Sequence, residues 1–245
     1  HRALYTLGQP VDAVRATGPF DAYDVVVVPN LYIIEQPQAE ALRAFVERGG
    51  HLVVGPFSGV VDATEKVHDG GAPGPLRGLL GIEVDEQWPI ADGLTESIDY
   101  AGETLTVPSW SEWLEADDDV EVRGTYASGE LDGLPAITRR TAGEGSAWYV
   151  SAMFDPAGLL PVFRDVLRTA GVPVREHTDV EVEVVTRADD TTDYTFYLNH
   201  GRAPVALEIP SPGVDLLTGI RHTDRVDLDR YGVAVLAAPR AASIP

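Results

Sequence analysis

Apolar and polar positions change period along this chain, and each change marks an element. Arg2 to Leu7 reads as the end of a helix and Val11 to Val14 as a short strand. Tyr23 to Pro29, YDVVVVP, is a continuous β-branched run of the kind that forms a parallel strand buried on both faces, punctuated by Asp21, Asp24 and Pro29. Pro37 suits a first helical position; Leu42, Phe45 and Val46 then share one face, and Gly49 and Gly50 supply the stop. His51 to Val54 is a further apolar strand. Strand, strand, helix, strand in this order predicts an α/β layer with right-handed crossovers.

Leu76, Leu79 and Leu80 make a short helical patch that ends at Gly81. From 82 to 150 the pattern turns to short alternating runs (IEVDEQW, SIDYAG, TLTVPSW, VEVRGTYA, PAITRRTA, SAWYVSA), which predict an antiparallel insertion or sheet edge. A last helix is expected over Pro161 to Ala170, with Pro161 in its first turn because an interior proline costs about 3 kcal/mol. Near Val172 to Thr178 the character changes again. Glu181–Thr186, Tyr194–Asn199, Val205–Ile209, Val226–Leu228 and Val233–Leu236 alternate at short intervals, predicting a small all-β module. No internal repeat is present, and the only biased stretch is the Ala/Pro-rich tail.

Between strand and helix lies Val53 to Leu80, VVGPFSGVVDATEKVHDGGAPGPLRGLL, most of it a Gly/Pro-rich loop. Loops beyond about 12–15 residues are uncommon inside compact domains and are usually functional or disordered. This loop is the candidate functional segment.

Charge narrows the partners. The 245 residues carry 39 acids against 18 bases, a net charge of −21, and residues 83–132 hold 15 acids and the single base Arg123. Such a field repels phosphate backbones, which excludes nucleic acid as a partner. It fits two sources equally: a halophile, where salt screens repulsion to about 3 Å at 1 M, or an ordinary acidic protein of a GC-rich genome. No apolar run approaches the roughly 20 residues that span a bilayer, and HRALYTLGQP has no basic region followed by an apolar core, so no membrane partner and a soluble, cytoplasmic protein are expected. With no cysteine, disulfides, thiolate metal sites and cysteine nucleophiles are excluded.

Catalytic readings of the loop fail on spacing. Ser58 sits in GPFSG, which is G-x-x-S-G, whereas a nucleophile elbow needs G-x-S-x-G; backbone turn chemistry accounts for it. Asp62, Glu65, His68 and Asp69 match no metal-ligand spacing. Gly70, Gly71, Pro73, Gly74 and Pro75 lack the GxGxxG or GK[ST] of a phosphate cradle. The acid run Glu112, Glu115, Asp117, Asp118 and Asp119 offers carboxylates for glycosidase-type acid/base work but reads as a solvated face. Trp88, Trp110, Trp113 and Trp148 read as core aromatics. No catalytic, cofactor or metal residue is assigned.

The wording of the chain resembles one family. YDVVVVPNLYII, followed by LRAFVERGGHLVVGPFSGVVDATEKVHDGGAPGPLRGLLGIEVDE, is similar to the trimerisation domain of glycoside hydrolase family 42 β-galactosidases. LPAITRRTAGEGSAWYVSAMFD resembles its closing sheet segment, and YLNHGRAPVALEIPSPGVDLLTG with YGVAVL the family's small C-terminal β domain. The resemblance implies an α/β, flavodoxin-like or glutamine-amidotransferase-like doubly wound sheet with antiparallel additions over 1–176, then an antiparallel β domain over 177–245. Amidotransferase chemistry is not implied, since its nucleophile is cysteine. The family's retaining mechanism uses two glutamates on a TIM barrel, about 5–5.5 Å apart; that barrel is not in this chain.

The resemblance therefore implies a non-catalytic C-terminal part of a β-galactosidase, inactive alone, that mediates homotrimer assembly and supports a neighbouring active site. Its partners are the barrel portion of the same enzyme and two further copies, with β-galactoside bound mainly by the barrel. Interface contacts are expected from Phe57, Ser58, Asp62, Pro73, Leu76 and Arg77, with Gly59, Gly70, Gly71 and Gly74 setting the loop's path. A doubly wound sheet also needs a strand between 11–14 and 24–28, expected from the barrel-bearing portion upstream of residue 1. The alternative is a free-standing sugar-binding or assembly module without hydrolase activity.

Overall fold

The computed structural model describes residues 1–174 and 181–240. The chain forms two compact units: one of Ala13–Pro173, and one that joins His1–Asp12 to Val174–Pro245. The expected boundary at 176/177 lies outside the described residues.

The chain opens on helix α1 (Arg2–Thr6), which belongs to the second unit. The larger unit begins with β1 (Val25–Val28), α2 (Gln36–Glu47) and β2 (His51–Val54). Helix α2 starts one residue before the expected position. Its N-terminus is closed by a capping box in which Glu35 and Gln38 each accept the other's backbone N–H, and Pro37 needs no intrahelical donor there. After the long loop come a 3-10 turn (Gly74–Leu76) and α3 (Arg77–Leu80), stopped by Gly81 in the left-handed region. Seven strands follow: β3 (Ile82–Pro89), β4 (Glu96–Tyr100), β5 (Glu103–Val107), β6 (Trp110–Ala116), β7 (Glu121–Tyr126), β8 (Pro135–Ala142) and β9 (Gly145–Val150), then α4 (Leu160–Thr169).

The unit is built around a seven-stranded sheet of order β1-β2-β9-β8-β7-β4-β5, flanked by a separate β3-β6 ribbon. Only β1-β2 and β2-β9 pair in parallel; the rest is antiparallel. The structure is thus mostly β with few helices. The alternating run that predicted an edge or insertion instead supplies most of the main sheet, and SAWYVSA contributes the third parallel strand. Val26, Val28, Leu52, Val54 and Tyr149 pack against Leu42, Phe45 and Val46 of α2 and Leu76, Leu79 and Leu80 of the loop's end, so the loop is anchored in the core.

One expected strand is absent. Val11–Val14 lies outside any strand, and β1 ends the sheet. The His51 N–H donates to Asp24 and the Gly55 N–H to Val28, so the alternate residues Val25 and Val27 turn their backbone groups to the open edge. A groove of about 320 Å³ runs beside that edge, walled by Val14 and Ala16 on one side and by Val26, Val27 and Val28 on the other.

The second unit carries β10 (Val182–Ala188), β11 (Thr192–Asn199), β12 (Val205–Glu208), β13 (Gly213–Asp215), β14 (Arg221–His222), β15 (Arg225–Leu228) and β16 (Val233–Pro239). They form an antiparallel sheet of order β10-β11-β16-β13-β14 and a β12-β15 pair over a core of Tyr197, Ile209, Val226, Leu228, Ala234 and Leu236. Helix α1 joins it through Arg2–Glu181 at 3.6 Å and the Tyr5 ring against His200, 5.7 Å between centroids.

Candidate functional site

The loop leaves β2 at Gly55 and is fastened along its whole course. Its first arm is laced to the segment after β1: the Asn30 amide donates to the Pro56 carbonyl at 2.9 Å, the Leu31 N–H to Ser58 Oγ at 3.2 Å, the Gly59 N–H to the Leu31 carbonyl at 2.8 Å and the Ile34 N–H to the Val61 carbonyl at 3.2 Å. Ser58 is fully buried and its hydroxyl accepts a backbone N–H, but from Leu31 on the neighbouring segment, so it ties the two segments together instead of forming the local turn its spacing suggested.

The tip is an Asx turn. Asp62 Oδ1 accepts from the Thr64 N–H at 2.8 Å, the Thr64 hydroxyl at 2.7 Å and the Lys66 N–H at 3.1 Å; the Thr64 hydroxyl first, then the two N–H groups, hold this carboxyl below its usual range. The acids and histidine of the tip form no group of metal-ligating geometry among the described residues.

On the return arm the Val84 N–H donates to the Ala72 carbonyl at 3.0 Å and the Leu76 N–H to the Pro73 carbonyl at 3.1 Å. Gly59, at φ +65°, abuts the Pro73 carbonyl, and Gly70, at φ +87°, abuts the Arg77 guanidinium; a Cβ at either would collide. Arg77 in turn pairs with Glu83.

Of the ten expected interface residues, Gly70 is exposed and Phe57, Asp62, Gly71, Gly74 and Arg77 are half-buried, so these six face outward at least in part. Ser58, Gly59, Pro73 and Leu76 are buried within the chain and shape the loop from inside. Three apolar side chains overlooked in the sequence share the surface: Tyr32 and Val67 are 49% and 58% exposed and Ile33 40%, with Ile33 bridged to Val61 and Val61 to Val67. The signal for Tyr32 and Ile33 is NLYII, an apolar run continuing past the end of β1; Val67 stands alone among polar residues and carries none.

Beneath the first arm is a buried polar cluster. Glu112 is fully buried, a departure from the solvated acid face expected of it. Its Oε1 accepts the Phe57 N–H at 3.1 Å and its Oε2 the Tyr149 hydroxyl at 2.6 Å. The Glu112 N–H donates to the Tyr126 hydroxyl at 3.2 Å, and the Ser111 hydroxyl donates to Glu96 at 2.6 Å. The rest of the acid run does lie toward solvent, with Asp119 held by Arg140 at 2.7 Å. Trp148 is core as expected, with the Arg139 guanidinium 5.6 Å from its ring, whereas Trp88, Trp110 and Trp113, also expected in the core, are only half-buried.

The loop is fastened by its own backbone bonds and presents an apolar patch and an arginine. In comparison with known families, residues 1–173 match the β-galactosidase trimerisation domain and residues 180–238 the β-galactosidase C-terminal domain. The chain belongs to the family 42 β-galactosidases.

Among relatives of this family, a β-galactosidase of an Arthrobacter species is 34% identical over 239 residues, covering 97% of this chain and 33% of that one. BgaH of Haloferax lucentense is 33% identical over 225 residues, covering 92% and 33%. The crystal structure of the enzyme from Bacillus circulans sp. alkalophilus superposes with a TM-score of 0.84 at 28% identity, covering 96% of this chain and 36% of that one. That from the Antarctic haloarchaeon Halorubrum lacusprofundi gives 0.81 at 27%, covering 96% and 34%. The chain therefore spans about a third of the length of the family 42 relatives it matches. Among its described residues no helix is long and apolar enough to cross a membrane.

Proposed function

We propose that this chain is the non-catalytic C-terminal part of a retaining β-galactosidase that hydrolyses terminal β-D-galactosides, and that its own work is homotrimer assembly and support of the neighbouring active site. The observation that carries this reading is the match of residues 1–173 to a trimerisation domain. Its buried carboxyls fit: Glu112 and Glu96 face inward on hydroxyl and backbone donors instead of flanking an open cleft. Acid/base catalysis then falls to a barrel outside this chain, which also binds most of the β-galactoside. The enzyme is cytoplasmic, needs no cofactor, and engages neither nucleic acid nor membrane.

The assembly surface in this reading is the outward side of the loop: Phe57, Asp62, Gly70 and Arg77, widened by Tyr32, Ile33 and Val67. Arg77 can give a bidentate pair to a carboxylate across a heterologous three-fold interface. The open edge of β1 and the groove beside it support a second contact, in which the barrel-bearing portion supplies a parallel strand beside β1 and completes a flavodoxin-like sheet. An unfilled edge of four valines is otherwise a template for unwanted pairing.

The test compares the full reading frame that carries this chain with this chain alone on a chromogenic β-galactoside. The full polypeptide is expected to turn over and the chain alone to be inert; turnover by the chain alone overturns the reading.

A further inference from the structure

Phe57 is one of four non-glycine residues with positive φ among those described, at +59°, a conformation that strains a bulky L-residue. Its N–H donates to Glu112, and its ring lies against that of Trp110, 4.3 Å between centroids, two residues before Glu112 on β6. The same carboxyl takes the Tyr149 hydroxyl of β9. One buried acid thus ties the strained start of the loop to the main sheet. A neutral acceptor would satisfy Phe57 equally well, so the use of an ionisable group here calls for an account.

We propose that the Glu112 carboxyl is a positioning group for the loop, holding Phe57 in its left-handed turn, and that the loop is held more tightly when this carboxyl carries its proton. The latch is a property of this chain; only its consequence for assembly rests on the function proposed above.

The groups facing Glu112 are the hydroxyls of Tyr149 on β9 and Tyr126 on β7, the latter shared with Ser151 at 2.8 Å, and neighbouring Ser111, which donates to Glu96 on β4. Among the described residues no arginine, lysine or histidine contributes to its proton affinity. Burial dominates and pushes the carboxyl up to about 7, with Tyr149, the Phe57 N–H and the Trp110 side chain pulling it part of the way back. Protonated, its carbonyl oxygen accepts from Phe57 while its O–H donates to the Tyr149 oxygen; ionised, both oxygens accept, and the proton goes to water. When the loop opens and wets the group, its affinity returns towards the ordinary value of 4.5. The closed loop therefore binds the proton more strongly than the open one. Opening is least at low pH, grows as pH rises between 4.5 and about 7, and then levels.

The experiment is the pH dependence of hydrogen-exchange protection at the Phe57 amide in the full chain, corrected for intrinsic exchange. Protection is expected to fall by up to roughly tenfold per pH unit before levelling near neutrality. Glu112→Gln, which keeps an acceptor for Phe57, is expected to show no such slope. Tyr149→Phe removes a donor that favours the anion and should move the wild-type midpoint to higher pH. In parallel, the infrared carbonyl band of a buried protonated carboxyl should vanish near neutral pH in the wild type and be missing from Glu112→Gln. A flat wild-type profile, the same slope in Glu112→Gln, or no carboxyl band at acidic pH overturns the proposal.

Discussion

Gly59 lies so close to the carbonyl of Pro73 that a Cβ there would collide with it, and this approach brings the two arms of the loop together. Gly59→Ala adds both a positive-φ penalty and a backbone collision, whereas Gly93, at φ +80° with nothing within 4 Å of where a Cβ would sit, suffers the first effect alone. Urea unfolding should show Gly93→Ala costing about 1 kcal/mol and Gly59→Ala about 3 kcal/mol. Equal losses would mean that the arms are not closed by this contact.

Asp165 on α4 joins the helix to the sheet, accepting the Tyr100 hydroxyl at 2.8 Å and the Arg123 guanidinium at 2.6 Å. Burial alone would raise this carboxyl, yet those two bonds hold it below its ordinary 3.8. A depressed carboxyl contributes stability that is full above its unfolded value and is lost as pH falls through the folded one. Asp165→Asn should therefore cost about 2 kcal/mol at neutral pH, from the loss of charged hydrogen bonds. The gap to wild type should narrow on acidification below the ordinary 3.8. A gap independent of pH would assign the loss to packing.

Val27 turns its N–H to the open edge of β1, so proline there removes no bond to β2. Val27→Pro should leave the unfolding midpoint of the chain alone nearly unchanged, while in the full enzyme it should block the supplied strand and lower thermal stability. Equal effects in both, or none in the full enzyme, would count against a strand docking at that edge.

The local elements of the parallel layer were legible because their signals are local. YDVVVVP contains β1, HLVV is β2, and the Leu42, Phe45 and Val46 stripe with its glycine stop marks α2 within a residue of its start. Val11–Val14 has the composition of a strand but joins no sheet among the described residues, and ladder pairing is what a strand requires. Glu112 was misread for a different reason. Ser111 and Glu112 are consecutive and both buried, which a strand with one solvated face does not allow; at this point of β6 both faces are covered. Charge counting along the sequence is blind to that enclosure. At the loop, word pattern marked the segment, but which residues face out depends on backbone bonds from 30–34 that no local rule predicts.

In the function proposed above, the outward side of this loop holds the enzyme together. Its most direct test is the mass, by light scattering, of the full enzyme carrying Phe57→Ala and Arg77→Ala together. The account predicts that wild type is a trimer and that the double variant, still folded by circular dichroism, scatters as smaller species. A double variant that remains a trimer would contradict it.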